Sequence, residues 1–228
     1  MSSQQQPVPG RVYLDNTALV DVADPTERRY AAAQQFLQVF QRHRHTGLLQ
    51  LITSTWTMTE CHGILYGKEL SRRGITIPGR AGINPRNYLP PDRPSLNAAH
   101  RQVVALLQTL QTTTDFQLWP DQSRDAVPTY QLAMQIGREA GIWPTDSMHL
   151  ALALESDCTM LVTDDRDFLD KIDCCHASLI QPYRRQQFSQ LQSPPPFQAH
   201  GLIPTTCRIP GQGRRRPSAM QALITLGF

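Results

Sequence analysis

Acid is missing from the last quarter of this 228-residue chain: no Asp or Glu follows Asp173. The same stretch carries Arg184, Arg185, Arg208, Arg214, Arg215 and Arg216, so a net charge of +3 conceals a mildly acidic body and a basic tail. Before the tail, 16 basic residues stand against 19 acidic ones. Long apolar runs are missing too. None reaches the roughly eighteen residues that a membrane span needs, and the start, MSSQQQPVPG, has neither the basic nor the apolar region of an export signal. A cytoplasmic protein without a membrane partner is expected. A disulfide framework is also absent. The five cysteines are odd in number, Cys174 and Cys175 are adjacent, and there is no CxxC pair. Cys174, Cys175 and His176 lack the two-pair spacing of a zinc site, so that reading is set aside. Charged residues make up only 18%, whereas proline is abundant at 18 residues. A globular body carrying irregular segments fits that balance, and the length suits one domain with appendages.

Residues 1–10 read as a disordered lead-in. Val12-Tyr13-Leu14 is a short apolar run ending at Asp15, suited to a buried strand. Asp24-Pro25-Thr26-Glu27 then has the form of a helix start, with Asp24 as cap, Pro25 in the first turn and Glu27 completing a capping box. Tyr30, Ala33, Phe36, Leu37 and Phe40 follow at helical spacing. Leu48 to Ile52 is a second strand. Thr53-Ser54-Thr55 caps a helix towards Arg72, with Trp56, Ile64 and Leu65 as core positions and Glu60 in its middle. From Gly74 to Pro94 the periodicity fails among eight glycines and prolines, which marks a long loop, functional or inserted. Ser95 is the expected cap of a helix to about Thr112, and Phe116 to Trp119 the third strand. Pro128 and Gly141 bracket a helix with Tyr130, Ala133, Met134 and Ala140 on one side. A helix from about Pro144, a strand Met160–Thr163 and a last strand Ala177–Ile180 complete the body, at residues 11–182. Residues 183–228, rich in Gln, Pro, Ser and Arg, are expected to be mostly disordered.

Strands alternating with helices imply a parallel sheet covered on both faces, a three-layer α/β/α sandwich. Ligands of such sheets bind outside the carboxyl ends of the strands. Asp15 and the pair Asp164, Asp165 fall there, Asp146 sits at the front of the helix in the Trp143–Phe168 stretch, and Glu60 sits on a helix that follows a strand. Carboxylates gathered in one place repel one another unless a cation sits between them. Mg²⁺ and Mn²⁺ take hard oxygen donors and leave positions open for a phosphate and a water. Each acid also has a plain explanation. Asp146 could cap its helix, Asp15 could serve a turn, Glu60 could face solvent, and Asp164, Asp165 and Asp167 could be first-turn acids favoured by a helix dipole. Their joint placement favours a site.

These residues resemble the motifs of the PIN-domain family of metal-dependent nucleases, in particular the VapC-type toxins of toxin–antitoxin pairs. An apolar strand running into Asp-x-Ser/Thr matches Leu14-Asp15-Asn16-Thr17. A Glu on the helix after the second strand matches Glu60. An Asp opening an Ala- and Leu-rich helix matches Asp146 in Pro144 to Ala151. Thr-x-Asp-x-x-Phe after an apolar strand matches Thr163 to Phe168, with Asp165 as the fourth acid and Asp164 the residue most readily confused with it. The match runs from about Val12 to Ile180; the Gly74–Pro94 loop and the basic tail have no counterpart in it. The resemblance implies a PIN-like sandwich and hydrolysis of RNA phosphodiester bonds by a metal-activated water. Asp15, Glu60, Asp146 and Asp165 would be catalytic and would bind Mg²⁺ or Mn²⁺, with Asp164 as an additional candidate ligand and Thr17 and Thr163 in support. Implied partners are RNA and a small antitoxin, with a homodimer allowed. An inert PIN-like module that binds RNA or protein is the alternative. A phosphotransferase using Asp15 as nucleophile, of the haloacid-dehalogenase type, would want a second Asp where Thr17 stands, and is set aside.

Lys68, Arg72, Arg73, Arg80, Arg86, Arg93 and Arg101 surround the irregular loop against only Glu69 and Asp92. Lys68, Arg72, Arg73, Arg80 and Arg86 are candidate contacts to RNA phosphates, the alternative being a solvated loop. Tyr88 and Trp143 could stack on bases, although core packing is the expectation for Trp143. The Arg214-Arg215-Arg216 run reads as an extension without a role. His62 and His149 are expected to be packing residues, a general acid being the alternative.

Overall fold

The structure is a computed structural model that describes residues 10–76, 89–119, 126–175, 179–187, 196–204 and 216–225. In chain order its elements are β1 (Gly10–Leu14), α1 (Asn16–Ala23), α2 (Tyr30–Arg42), β2 (Leu49–Ser54), α3 (Thr55–Arg72), α4 (Arg93–Thr113), β3 (Phe116–Trp119), α5 (Val127–Ala140), α6 (Pro144–Glu155), β4 (Met160–Val162), α7 (Arg166–Cys175), α8 (Gln181–Gln187), β5 (Gln198–His200) and α9 (Ala219–Thr225). The five strands form one parallel sheet in the order β3-β2-β1-β4-β5.

Alternation along the strands divides the core in two. Val12, Leu14, Leu49, Leu51, Met160 and Val162 pack with residues of α1, α2, α3, α4 and α9. Tyr13, Ile52, Leu161 and Ala199 pack with residues of α5, α6 and α7. The result is the expected three-layer α/β/α sandwich around a parallel sheet. From β1 the chain builds outward through β2 and β3, then crosses back to lay β4 on the other side of β1. The strand order therefore reverses between β1 and β4, and the crevice at their carboxyl ends is where ligands of such sheets bind.

Several local expectations give way. Asp24 does not start a helix. It closes α1, a helix that the sequence reading does not anticipate, and its carboxylate accepts from Thr26 N at 3.0 Å in a turn, so α2 begins only at Tyr30. Asp92, not Ser95, caps α4, accepting from Ser95 N at 2.9 Å. Trp56 is not a core residue, and of the side assigned to α5 only Ala133 is buried; Tyr130 and Met134 are exposed. Leu132 and Ile136 take the buried positions instead.

The larger correction concerns the tail. Residues 179–180 lie in a helical turn, not a strand, and 176–178 fall outside the described residues. The fifth strand is β5, which lies in the segment expected to be disordered and pairs with β4. Phe197 and Ala199 enter the second core, while Ala219, Ala222 and Leu223 of α9 enter the first. The basic tail is also partly internal. Arg184 is buried, donates to Cys158 O at 2.6 Å and lies over the Phe197 ring, which spreads its charge over a carbonyl and an aromatic face.

Candidate active site

Asp15 stands at the reversal point. Its backbone N–H still follows the sheet, donating to Val162 O at 3.1 Å, while its side chain already caps α1 by accepting from Ala18 N at 2.9 Å. Thr17 Oγ1 donates to the same carboxylate at 2.8 Å, and the Thr163 hydroxyl donates to Oδ2. Both hydroxyls also accept from the turn after β4: Thr17 from Asp164 N at 2.9 Å, Thr163 from Asp165 N at 3.1 Å. The two threonines thus clamp Asp15 to the β4–α7 turn. The Asp15 side chain is fully enclosed, and burial pushes its carboxyl up to about 6 despite His149 and these hydrogen bonds.

Asp165 caps α7, accepting from Phe168 N at 3.1 Å. Asp146 is in the first turn of α6, whose N-cap is Trp143, so Asp146 is not the cap. Three of the four acids therefore sit at helix N-termini, where the helix dipole favours negative charge. Burial raises the Asp146 carboxyl, the neighbouring Asp165 raises it further, and Glu60 adds to the effect while His149 opposes it. Glu60, in the second turn of α3, is held by Asn16 Nδ2 at 3.0 Å and lies 2.7 Å from His149 Nε2. Mutual electrostatics thus link Asp146 to Asp165, His149 and Glu60, and Asp15 to His149.

Asp164 faces elsewhere. Its carboxylate is 3.3 Å from Arg29 Nη1, accepts from Leu202 N at 3.3 Å, and raises the neighbouring Asp21, whose carboxyl is elevated first by burial and then by this pairing. Asp164 stands with Asp21 and Arg29, a grouping that the sequence reading misses. His149 is missed as a contact of Glu60. The available signal is its position one helical turn after Asp146, on the same face of α6.

The donors at Asp15, Glu60, Asp146 and Asp165 are all carboxylate oxygens, the hard set that suits Mg²⁺ or Mn²⁺. The Asp15 and Asp146 carboxyls are raised first by burial, and that of Asp146 also by Asp165 and Glu60. Among the described residues no three such groups stand at ligand spacing; the acids are linked through Thr163, Asn16 and His149 without closing on one point.

Three of the expected phosphate contacts are already engaged. Lys68 pairs with Glu27, Arg72 with Asp24 and Glu69, and Arg73 with Asp92. Arg80, Arg86 and Tyr88 lie outside the described residues, as do Arg214 and Arg215. Trp143, expected in the core, is 69% exposed.

No family model matches the sequence, and no curated protein matches it. Solved structures do. One is Mycobacterium tuberculosis VapC20, described as a Sarcin-Ricin loop cleaving toxin, at 14% identity over 69% of this chain and 92% of that chain, with a TM-score of 0.41. Another is FitAB bound to an IR36 DNA fragment, at 10% identity over 86% of this chain and 99% of that chain, with a TM-score of 0.46. Both are distant in sequence.

Proposed function

We propose that the chain is a divalent-metal-dependent endoribonuclease of the PIN type. The observation that supports this most is that Thr163 joins Asp15 to the turn of Asp165 beside the β1–β4 reversal, while Asn16 and His149 connect Glu60 to the neighbour of Asp15 and to the helix of Asp146. Asp15 and Asp146 would be the firmest ligands, with Glu60 and Asp165 completing the set; Thr17 and Thr163 orient Asp15. A bound Mg²⁺ or Mn²⁺ would supply Lewis-acid polarisation of a phosphoryl oxygen and ionisation of the attacking water. The protein contributes a fixed carboxylate geometry and a dry floor under Asp15.

The test is cleavage of labelled RNA by purified protein with Mg²⁺, with Mn²⁺ and with chelator, beside Asp15→Asn and Asp146→Asn. Metal-dependent cleavage that falls by more than ~100-fold in both variants is the expected result, since loss of a ligand exceeds loss of its outer partners. Cleavage that needs no metal, or that persists in both variants, overturns the reading. RNA binding without cleavage points to the inert module.

By the same resemblance the nuclease would act as a cytoplasmic toxin neutralised by a small antitoxin. Induced expression should arrest growth, and Asp15→Asn should relieve it.

The homodimer has support of its own. Trp56, Tyr130 and Met134 line a groove of about 480 Å³ between α5 and the starts of α3 and α6, next to Thr145 and hence Asp146. Met134 is 75% exposed, and exposed Trp143 and Val127 stand on the same helices or beside them. The charged residues of α5 are the adjacent Arg138 and Glu139, a neutral pair that suits a two-fold copy of itself better than a polyanion.

A further inference from the structure

We propose that His149 is a positioning residue that, with Asn16, commits Oε2 of Glu60 to the protein, so that Glu60 presents only Oε1 to a cation. This rests on the metal-site reading above.

The His149 side chain is 2% exposed, with a polar atom close to each ring nitrogen. Nδ1 is 3.2 Å from Thr57 Oγ1, and Nε2 is 2.7 Å from Glu60 Oε2. A histidine serving only as packing would not place both nitrogens against polar atoms. Thr57 in turn is bonded to Ser54 Oγ and Tyr13 OH, each at 2.7 Å, and the Tyr13 hydroxyl donates to Ser54 Oγ at 2.9 Å. These hydroxyls are buried, so each proton needs an acceptor within the group. Donation from Tyr13 to Ser54, from Ser54 to Thr57 and from Thr57 to Nδ1 satisfies all three. It makes Nδ1 the acceptor and leaves Nε2 as the nitrogen that faces Glu60. Asn16 Nδ2 reaches the same oxygen from α1 at 3.0 Å. Side chains from two different helices thus meet at Oε2, Asn16 as a hydrogen-bond donor and His149 as a close polar contact. The neighbour of Asp15 and a residue one turn from Asp146 hold the third acid, so the geometry of the set is linked through Glu60.

Outer hydrogen-bond partners of metal ligands are worth about 10–100-fold in metal affinity. The full-length protein is titrated with Mn²⁺ alone, and free Mn²⁺ is followed by electron paramagnetic resonance. His149→Leu should weaken binding by about 10–100-fold. His149→Gln, whose amide can still donate to Glu60, should recover most of the loss, and Asn16→Ala should weaken binding in the same direction. Asp15→Asn serves as the control for the site itself. If Asp15→Asn loses Mn²⁺ while His149→Leu and Asn16→Ala bind as wild type, the positioning role is overturned and the metal site stands. An equal loss in the Gln and Leu variants, at matched melting temperatures, also overturns it. Unchanged binding in Asp15→Asn overturns the metal site, and this inference with it. Should His149→Leu fail to fold, Asn16→Ala on the half-buried start of α1 decides the question.

Discussion

Asp164 and Asp165 are consecutive, yet their carboxylates serve different partners: Asp164 lies 3.3 Å from Arg29 Nη1, and Asp165 accepts the backbone N–H of Phe168 at 3.1 Å. Asp165 is the one that influences Asp146. Asp165→Asn should therefore lower RNA cleavage by more than ~100-fold, and Asp164→Asn by less than ~10-fold, outer contacts being worth less than ligands. Initial rates on labelled RNA, with circular dichroism to confirm folding, measure both. The opposite ranking would move the fourth acid to Asp164.

Metal-free protein should lose stability from Asp15 as pH rises from about 4 to about 6. The folded state keeps the Asp15 proton up to about 6 because the side chain is buried, whereas the unfolded chain releases it near its ordinary value of 3.8. Within that window the folded state binds more protons, so the free energy of unfolding falls with pH. A shift of this size corresponds to about 3 kcal/mol. Urea unfolding in chelator at pH 4 to 7.5 should show wild type losing ground to Asp15→Asn across the window. A gap between the two that does not change with pH contradicts the burial argument. Added Mg²⁺ should stabilise wild type at pH 7 and leave Asp15→Asn unmoved.

Met134→Glu should convert a dimer to a monomer. The exposed groove of Trp56, Tyr130 and Met134 is largely apolar, and a carboxylate introduced on each copy would bring charge into the face that the two copies bury. Light scattering coupled to size exclusion at ~50 μM, a concentration far above the dissociation constants of standard-sized interfaces, reads the mass directly. A wild-type monomer at that concentration would leave the groove without a second copy.

Phe197→Ala should cost about 3–5 kcal/mol, the usual range for removing a buried aromatic ring, because Phe197 is buried in the second core and carries Arg184 over its face. Chemical denaturation measures it. A neutral result would mean that the segment around β5 contributes nothing to the folded body.

Some of this was legible in the chain without coordinates. Val12-Tyr13-Leu14 ending in Asp15, and Phe116 to Trp119, are short apolar runs bounded by polar residues, and β1 and β3 form there. Gly141 was readable as a helix end because the αL backbone after α5, with φ of 63°, favours glycine. The three layers follow from alternation of strand and helix.

Tertiary structure decided the rest. Asp24-Pro25-Thr26-Glu27 has the local chemistry of a helix start, yet α1 needs Asp24 at its end and the turn at Thr26 uses the same carboxylate. β5 is three residues long, too short for periodicity to register, and exists because β4 offers it an edge. Tyr130 and Met134 share a helix face that looks like core and finds no core to join. Asp164 and Asp165 carry the same side chain one residue apart, so no sequence rule divides them. Their roles are separated by the turn after β4, which directs one carboxylate to Arg29 and sets the other at the mouth of α7, beside Asp146. The sequence supplied the acids by itself; the fold decided their partners, Arg29 for Asp164 and Phe168 N for Asp165.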